Sequence, residues 1–367
     1  MTRGASHLYA HLPFCASRCG YCAFVVEVGA LDRRDDYAAA LRRELAVESA
    51  RLGTLETVYM GGGTPTLMRP HRLRGLLEDV APRLAAGAEV SIEANPETVD
   101  REQFRELRAI GVTRVSLGAQ SFQPHLLAAL DRGATAEQVR RAVACAQDAG
   151  FASVSVDLLF GVPGQTSEDL EADLAAAVGL GVDHVSWYEL EIKPGTALER
   201  MGAEPPDEDW AADAYERVVE GLEAAGYRWY ETANFARPGH ECRHSLAYWS
   251  AADYLGVGVG AVSTVDGVRW RNSPGVDRYI AALGAGEAPR RETEALDADT
   301  RRRERWMLGL RVDRDLDIDW AGAPDHPEAL ERLEAGGLLR RAGSRIALTR
   351  RGRFIQNAVL QELMEYA

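Results

Sequence analysis

Three cysteines fall within eight residues near the N-terminus, in the stretch CASRCGYC (15–22). The spacing is Cys15-x3-Cys19-x2-Cys22, and Gly20 eases a turn inside it, so three thiolates can converge on one face of a metal centre. Three ligands are one too few for a closed tetrahedral site. Two chemistries follow. Either Cys242 or His244 supplies a fourth ligand to structural zinc, or the thiols hold three irons of a cubane cluster whose fourth iron is open. A thioredoxin-like redox pair is weaker, because the expected fold setting is missing. Cys145, in the helical stretch VRRAVACAQDAG, reads as a small buried core thiol.

A second element is MGGGTPT (60–66). Gly61, Gly62 and Gly63 let the backbone approach a ligand as closely as no side chain would allow. The Lys and Ser/Thr pair of a P-loop is absent, which argues against a nucleoside triphosphate.

These residues need positioning, and the rest of the chain supplies the elements. Short β-branched runs at 7–12, 57–62, 89–94, 114–120, 153–160 and 184–191 alternate with amphipathic stretches near 35–52, 70–85, 100–110, 135–149 and 167–180. Six strands alternating with helices predict repeated βα units around a parallel sheet, an α/β fold with its site at the C-terminal strand ends. Periodicity leaves barrel and open sheet both open. The unusual residues lie at those ends: the cysteines after strand one, GGGTPT after two, EANPE after three, AQSF after four and DLLFGVPGQ after five. Beyond 191 the pattern loosens into a helix near 209–225, the stretch YRWYETANF (227–235) and a Gly-rich passage (254–267). From about 290 onward, helix, turn, helix, a short β-wing and a further helix suggest a small C-terminal domain.

Bulk composition sets the outer limits. The 367 residues suit one large domain with a smaller appendage. A formal net charge of -14 opposes non-specific nucleic-acid binding, which needs a basic footprint. The basic runs at 301–305 and 340–353 read as solvated helix faces. No signal-peptide h-region and no apolar run of about 18 residues occurs, so the expected location is cytoplasmic. In a reducing compartment, clustered cysteines are metal ligands or catalytic groups rather than disulfides.

Cys-x3-Cys-x2-Cys after a first strand, with Tyr21 before the last Cys, resembles the radical S-adenosylmethionine (SAM) superfamily. That resemblance implies a [4Fe–4S] cluster on Cys15, Cys19 and Cys22, with SAM on the open iron as the source of a 5′-deoxyadenosyl radical. YAHLPFCASRCGYCAF, GGGTPT, IEANPE, VSLGAQSF, LDRG, VDLLFGVPGQT, SWYELEIKPGT, YETANFA and RHSLAYW are similar, in that order, to the coproporphyrinogen-oxidase-like branch. The resemblance implies that Tyr9 and Tyr21 flank the cluster loop and that Gly62, Gly63 and Thr64 touch the methionine end of SAM. It places Glu93, Gln120, Arg132 and Asp157 around the amino acid and ribose. The implied fold is a partial (β/α)6 TIM-like barrel over 1–235, a connecting segment over 236–290, and a small, mostly α, winged-helix-like domain over 291–367.

Two departures separate this chain from the oxidases of that branch. Phe24 stands where they carry a further Cys, and the first Cys comes early, at residue 15. Both fit the HemW type of haem chaperone. The resemblance implies haem binding, delivery to apo-haemoproteins and peripheral association with the membrane; the acidic net charge argues against a nucleic-acid partner, and no catalytic residue is assigned. The type's His-Asn-x-x-Tyr-Trp signature is HSLAYW here, with His244, Tyr248 and Trp249 kept and Ser245 in place of Asn. A His can ligate haem iron and aromatics can pack on a porphyrin; a packed turn is the alternative for the same residues. Ala23 replaces the usual Asp after the third Cys. Rival readings are a radical methyltransferase of the same branch, the oxidase itself, and a zinc-stabilised scaffold.

Overall fold

In a strand, alternate side chains point to opposite faces, and here the alternation separates polar from apolar almost completely. Along β1 (Ala5–Leu12) His7, Tyr9 and His11 share one face, and Leu8, Ala10 and Leu12 the other. The same split runs through β2 (Leu52–Gly62), β3 (Leu84–Ala94), β4 (Arg114–Gln120), β5 (Ser153–Phe160) and β6 (His184–Glu189). Their apolar faces, among them Val58, Ile92, Val115, Val156 and Trp187, are buried in one large hydrophobic core. The polar faces of β2 to β6 line a cavity, while His7, Tyr9 and His11 of β1 lie outside its lining. TIM barrels normally fill that interior with branched apolar side chains; here polar residues leave room for a ligand.

The computed structural model describes residues 4–364. β1 to β6 lie side by side in chain order, every pair parallel. The order never reverses, so there is no switch point of the doubly wound kind and the strands curve as a partial (β/α)6 barrel. The sheet stays open at both sides. Beyond β6 it continues antiparallel through Asn234–Ala236 and Arg228–Trp229. Beyond β1 it continues through Tyr254–Val257, which is parallel to β1, and then antiparallel through Val262–Val265, Val268–Asn272 and Arg291–Ala295.

Helices Arg34–Glu48, Arg69–Val80, Arg101–Ala109, Ala136–Asp148 and Ser167–Gly179 follow the first five strands. Their starts are written locally: Asp100 accepts from Gln103 N, and Thr135 and Thr166 form capping boxes with Gln138 and Asp169.

The segment expected to be a connector therefore contributes strands of its own. It is fastened to the barrel by Glu44, which is buried on the first helix. Its carboxylate accepts from Gly258 N (2.8 Å), Asn272 Nδ2 (2.7 Å), Tyr279 Oη (2.6 Å) and Arg291 Nη2 (3.0 Å). After Arg291–Ala295 the chain builds a separate apolar cluster around Trp306, Leu330, Ile346 and Leu360. It comprises helices Ala298–Gly309, Glu328–Ala335 and Gln356–Leu363 with a three-stranded antiparallel sheet of Leu316–Asp317, Arg345–Leu348 and Leu339–Ala342.

Candidate cofactor site

A cavity of about 410 Å³ occupies the barrel interior, and Cys15, Cys19 and Cys22 line it. The cysteine loop leaves the end of β1 and is tied down by backbone bonds. Phe14–Cys15 pairs with Glu27–Val28, Gly20 N donates to Leu130 O (3.0 Å), and Leu198 N donates to Gly20 O (3.0 Å). Thr64 Oγ1 lies 3.7 Å from Cys15 Sγ, and Arg132 Nη1 lies 3.5 Å from Cys19 Sγ. Donors aimed at sulfur suit a thiolate. Burial pushes the Cys15 and Cys22 thiols up, so metal uptake here must release protons. Among the described residues no three His, Cys, Asp or Glu side chains group around a single ion. A multi-iron cube needs its thiolates spaced around a cluster rather than around a point.

The glycine loop sits against this one by necessity. Gly62 has φ +122°, and a Cβ there would meet the His11 ring at 2.6 Å. A Cβ on Gly63 would meet Pro13 O at 2.6 Å, a backbone atom that cannot swing aside. His11 is itself fixed: Nε2 donates to Val25 O (2.8 Å), which leaves Nδ1 to accept from Tyr9 Oη (3.0 Å). Tyr9 thus braces the cysteine loop from behind and does not line the cavity.

Glu93 projects from β3 below the glycines. Its Oε2 accepts from Gly62 N (3.0 Å) and its Oε1 from Tyr59 Oη (2.9 Å). Burial pushes its carboxyl up to about 7, with the hydrogen bonds from Tyr59 and Gly62 opposing and Asp157 adding to the rise. Asp157 is also raised by burial, against hydrogen bonds from Ser186 and Ser116. Arg132 Nη2 bonds Asn95 Oδ1 (3.1 Å) and Gly118 O, while Asn95 Nδ2 donates to Thr64 Oγ1 (3.1 Å). One network therefore joins strands two, three and four to the cysteines. At Gln120 the strand bulges, its register to β5 slips after Gly118, and the residue takes φ +67°. That conformation is costly for a side-chain residue and clusters at functional sites. Arg132 Nε and Ser91 Oγ are buried without a hydrogen-bond partner, donors left over for a ligand.

Tyr21, Gly62, Gly63, Thr64, Glu93, Gln120, Arg132 and Asp157 all line the cavity with the three cysteines. Tyr59 and Asn95 line it too and were missed, although Tyr59 is in phase with Gly61 along its strand and Asn95 stands inside EANPE. Phe24 is 68% exposed at the cavity mouth. His244, Tyr248 and Trp249 are not brought to this wall. They lie on helix Arg243–Trp249, with His244 only 1% exposed. Its Nδ1 is 2.7 Å from Thr57 Oγ1 and its Nε2 is 3.0 Å from Tyr248 Oη, so neither nitrogen is open to a metal in this arrangement. Burial lowers its pKa to about 3.

Comparison with known proteins agrees with this geometry. Residues 9–177 match the model of the radical SAM superfamily. The chain is 42% identical to the haem chaperone HemW of Mycobacterium tuberculosis, over 97% of this chain and 94% of that one. It is 32% identical to the HemW of Bacillus subtilis, over 96% and 97%. Among solved structures, the radical SAM enzyme coproporphyrinogen III oxidase (HemN) of Escherichia coli superposes with a TM-score of 0.87. That match covers 100% of this chain and 91% of the other at 24% identity, and shows a common fold. No helix among the described residues is long and apolar enough to cross a membrane. On sequence identity across its whole length, the chain belongs to the HemW haem chaperones of the radical SAM superfamily.

Proposed function

We propose that this chain binds a [4Fe–4S] cluster on Cys15, Cys19 and Cys22, holds SAM in the barrel beside it, and carries haem to apo-haemoprotein recipients. The observation that carries the reading is the convergence on one cavity of three thiols, a side-chain-free glycine edge and a buried carboxylate and guanidinium. When bound, the cluster supplies one-electron chemistry and an iron open to SAM. The protein's own part is positioning. Gly62, Gly63 and Thr64 offer a close backbone approach, Glu93 an acceptor for an ammonium, and Arg132 a partner for a carboxylate. Gln120 and Asp157 face the remaining polar groups of the ligand, and Tyr9 and Tyr21 fix the cysteine loop. Phe24, exposed where a further cysteine would stand in an oxidase, favours haem handling over porphyrinogen decarboxylation. Delivery to recipients at a membrane surface would be peripheral.

Anaerobic reconstitution tests this. The holoprotein is titrated with haem and then mixed with an apo-haemoprotein. Stoichiometric haem uptake followed by transfer is the expected result. No haem uptake, with methyl transfer from SAM to a small molecule, would replace the chaperone reading by the methyltransferase one.

A further inference from the structure

We propose that His244, the histidine of the HSLAYW stretch, is a positioning residue for the SAM-binding loop and acts through Tyr59. The proposal rests on the SAM reading above. The His244 ring stacks on Tyr59 with centroids 5.1 Å apart and planes 24° from parallel. Tyr59 Oη in turn donates to Glu93 Oε1, and Glu93 Oε2 receives Gly62 N. A plate, a phenol and a carboxylate thus connect a buried helix to the glycine edge.

The helix is held so that the plate cannot wander. Glu89 accepts from Arg243 N (3.1 Å) and His244 N (3.2 Å), which fastens the helix start to β3, the strand that carries Glu93. At the other side of the ring, Thr57 Oγ1 lies between His244 Nδ1 (2.7 Å) and His7 Nδ1 (3.0 Å), and Tyr248 Oη closes on Nε2. Every polar atom of the imidazole is engaged in orienting it. A ring shifted off Tyr59 leaves Tyr9, with centroids 6.3 Å apart, as the stacked ring on the phenol, and loosens the donor that sets the direction of Glu93 Oε1. Such chains of hydrogen bonds and packed rings fix the geometry of residues that touch a ligand, at one remove. Burial holds the imidazole neutral at ordinary pH, so the plate keeps one protonation state.

The test uses the full-length, anaerobically reconstituted protein and the electron paramagnetic resonance spectrum of its reduced cluster, titrated with SAM. His244→Ala and Tyr59→Phe should each keep wild-type iron content and weaken the SAM-dependent spectral change at least about tenfold, the scale of one hydrogen bond to a charged group. His244→Phe, which restores a ring against Tyr59, should recover most of the affinity lost in His244→Ala. Haem titration of the same samples gives the opposing arm. Loss of haem binding in His244→Ala with SAM affinity unchanged makes the residue an iron ligand and overturns the proposal. SAM affinity unchanged in Tyr59→Phe overturns it equally, and that variant serves if His244→Ala does not fold. A wild-type protein that shows no SAM-dependent change instead sinks the SAM reading itself.

Discussion

Tyr59 donates its hydroxyl to Glu93 at 2.9 Å across neighbouring strands, in the barrel interior. The pair is unusual because burial outweighs the hydrogen bonds and leaves the Glu93 carboxyl near neutrality, at about 7. An acceptor for the ammonium of SAM must be ionised. SAM affinity should therefore rise with pH, by about tenfold between pH 6 and pH 8, as the ionised fraction of such a group climbs. Glu93→Gln should be weaker throughout and flat over the same range. For stability the sign is opposite: a carboxyl raised above its ordinary value favours the fold while protonated. That contribution is full below about 4.5 and lost as pH rises through about 7. A SAM titration in three buffers decides the matter, and a flat wild-type profile would remove Glu93 from the ammonium site.

The glycine edge makes a prediction about stability rather than chemistry. A Cβ on Gly63 would stand 2.6 Å from Pro13 O and 2.8 Å from Phe14 O, both backbone atoms beside the first cysteine. Forcing them apart costs typically 1–3 kcal/mol, about 2 kcal/mol here. Gly63→Ala should lower the unfolding free energy measured by chemical denaturation by that amount and also reduce the iron retained after reconstitution. Gly133→Ala, where an added Cβ would meet nothing within 4 Å, is the control and should do neither.

Replacing any of the three thiols tests the cluster directly. Cys19→Ala removes the sulfur that Arg132 approaches and should drop bound iron to background, because two cysteines cannot hold a cubane. The reconstituted wild-type protein should be brown and the variant colourless. Iron unchanged in Cys19→Ala would mean that the cluster assignment is wrong, and zinc in its place would favour the scaffold.

The six strands and their helices were legible because alternation and capping are local. Thr135 and Thr166 announce their helices, and the alternating polar residues of each strand announce a polar interior. Less legible was what long-range packing decides. Tyr254–Val257 and Val262–Val265 are four residues each, in a Gly-rich run with no helix between them, so nothing local distinguished strand from loop. His244 shows the same limit at a site. Its motif signalled a special residue, but whether that residue faces a ligand or a core depends on Thr57, Tyr59 and Glu89, which lie more than 150 positions earlier in the chain.

Glu44 shows how that distant packing serves the cysteine loop. Its four donors include Gly258 N, and the turn that follows runs directly beneath the loop. A Cβ on Gly258 would meet His11 O at 2.7 Å, and one on Gly260 would meet Val25 at 2.8 Å. Arg291 completes the arrangement by bonding both Glu44 and Glu48. Removing one partner of a buried ion pair typically costs 3–5 kcal/mol, because the other is left without compensation. Glu44→Ala should therefore lose about 3 kcal/mol in chemical denaturation, the lower end because Arg291 keeps Glu48. Since the turn supports Val25 and His11 rather than any thiol, iron should still load, but escape faster to a chelator than from wild type. Wild-type chelation kinetics in a destabilised Glu44→Ala protein would separate the two effects and confine Glu44 to folding.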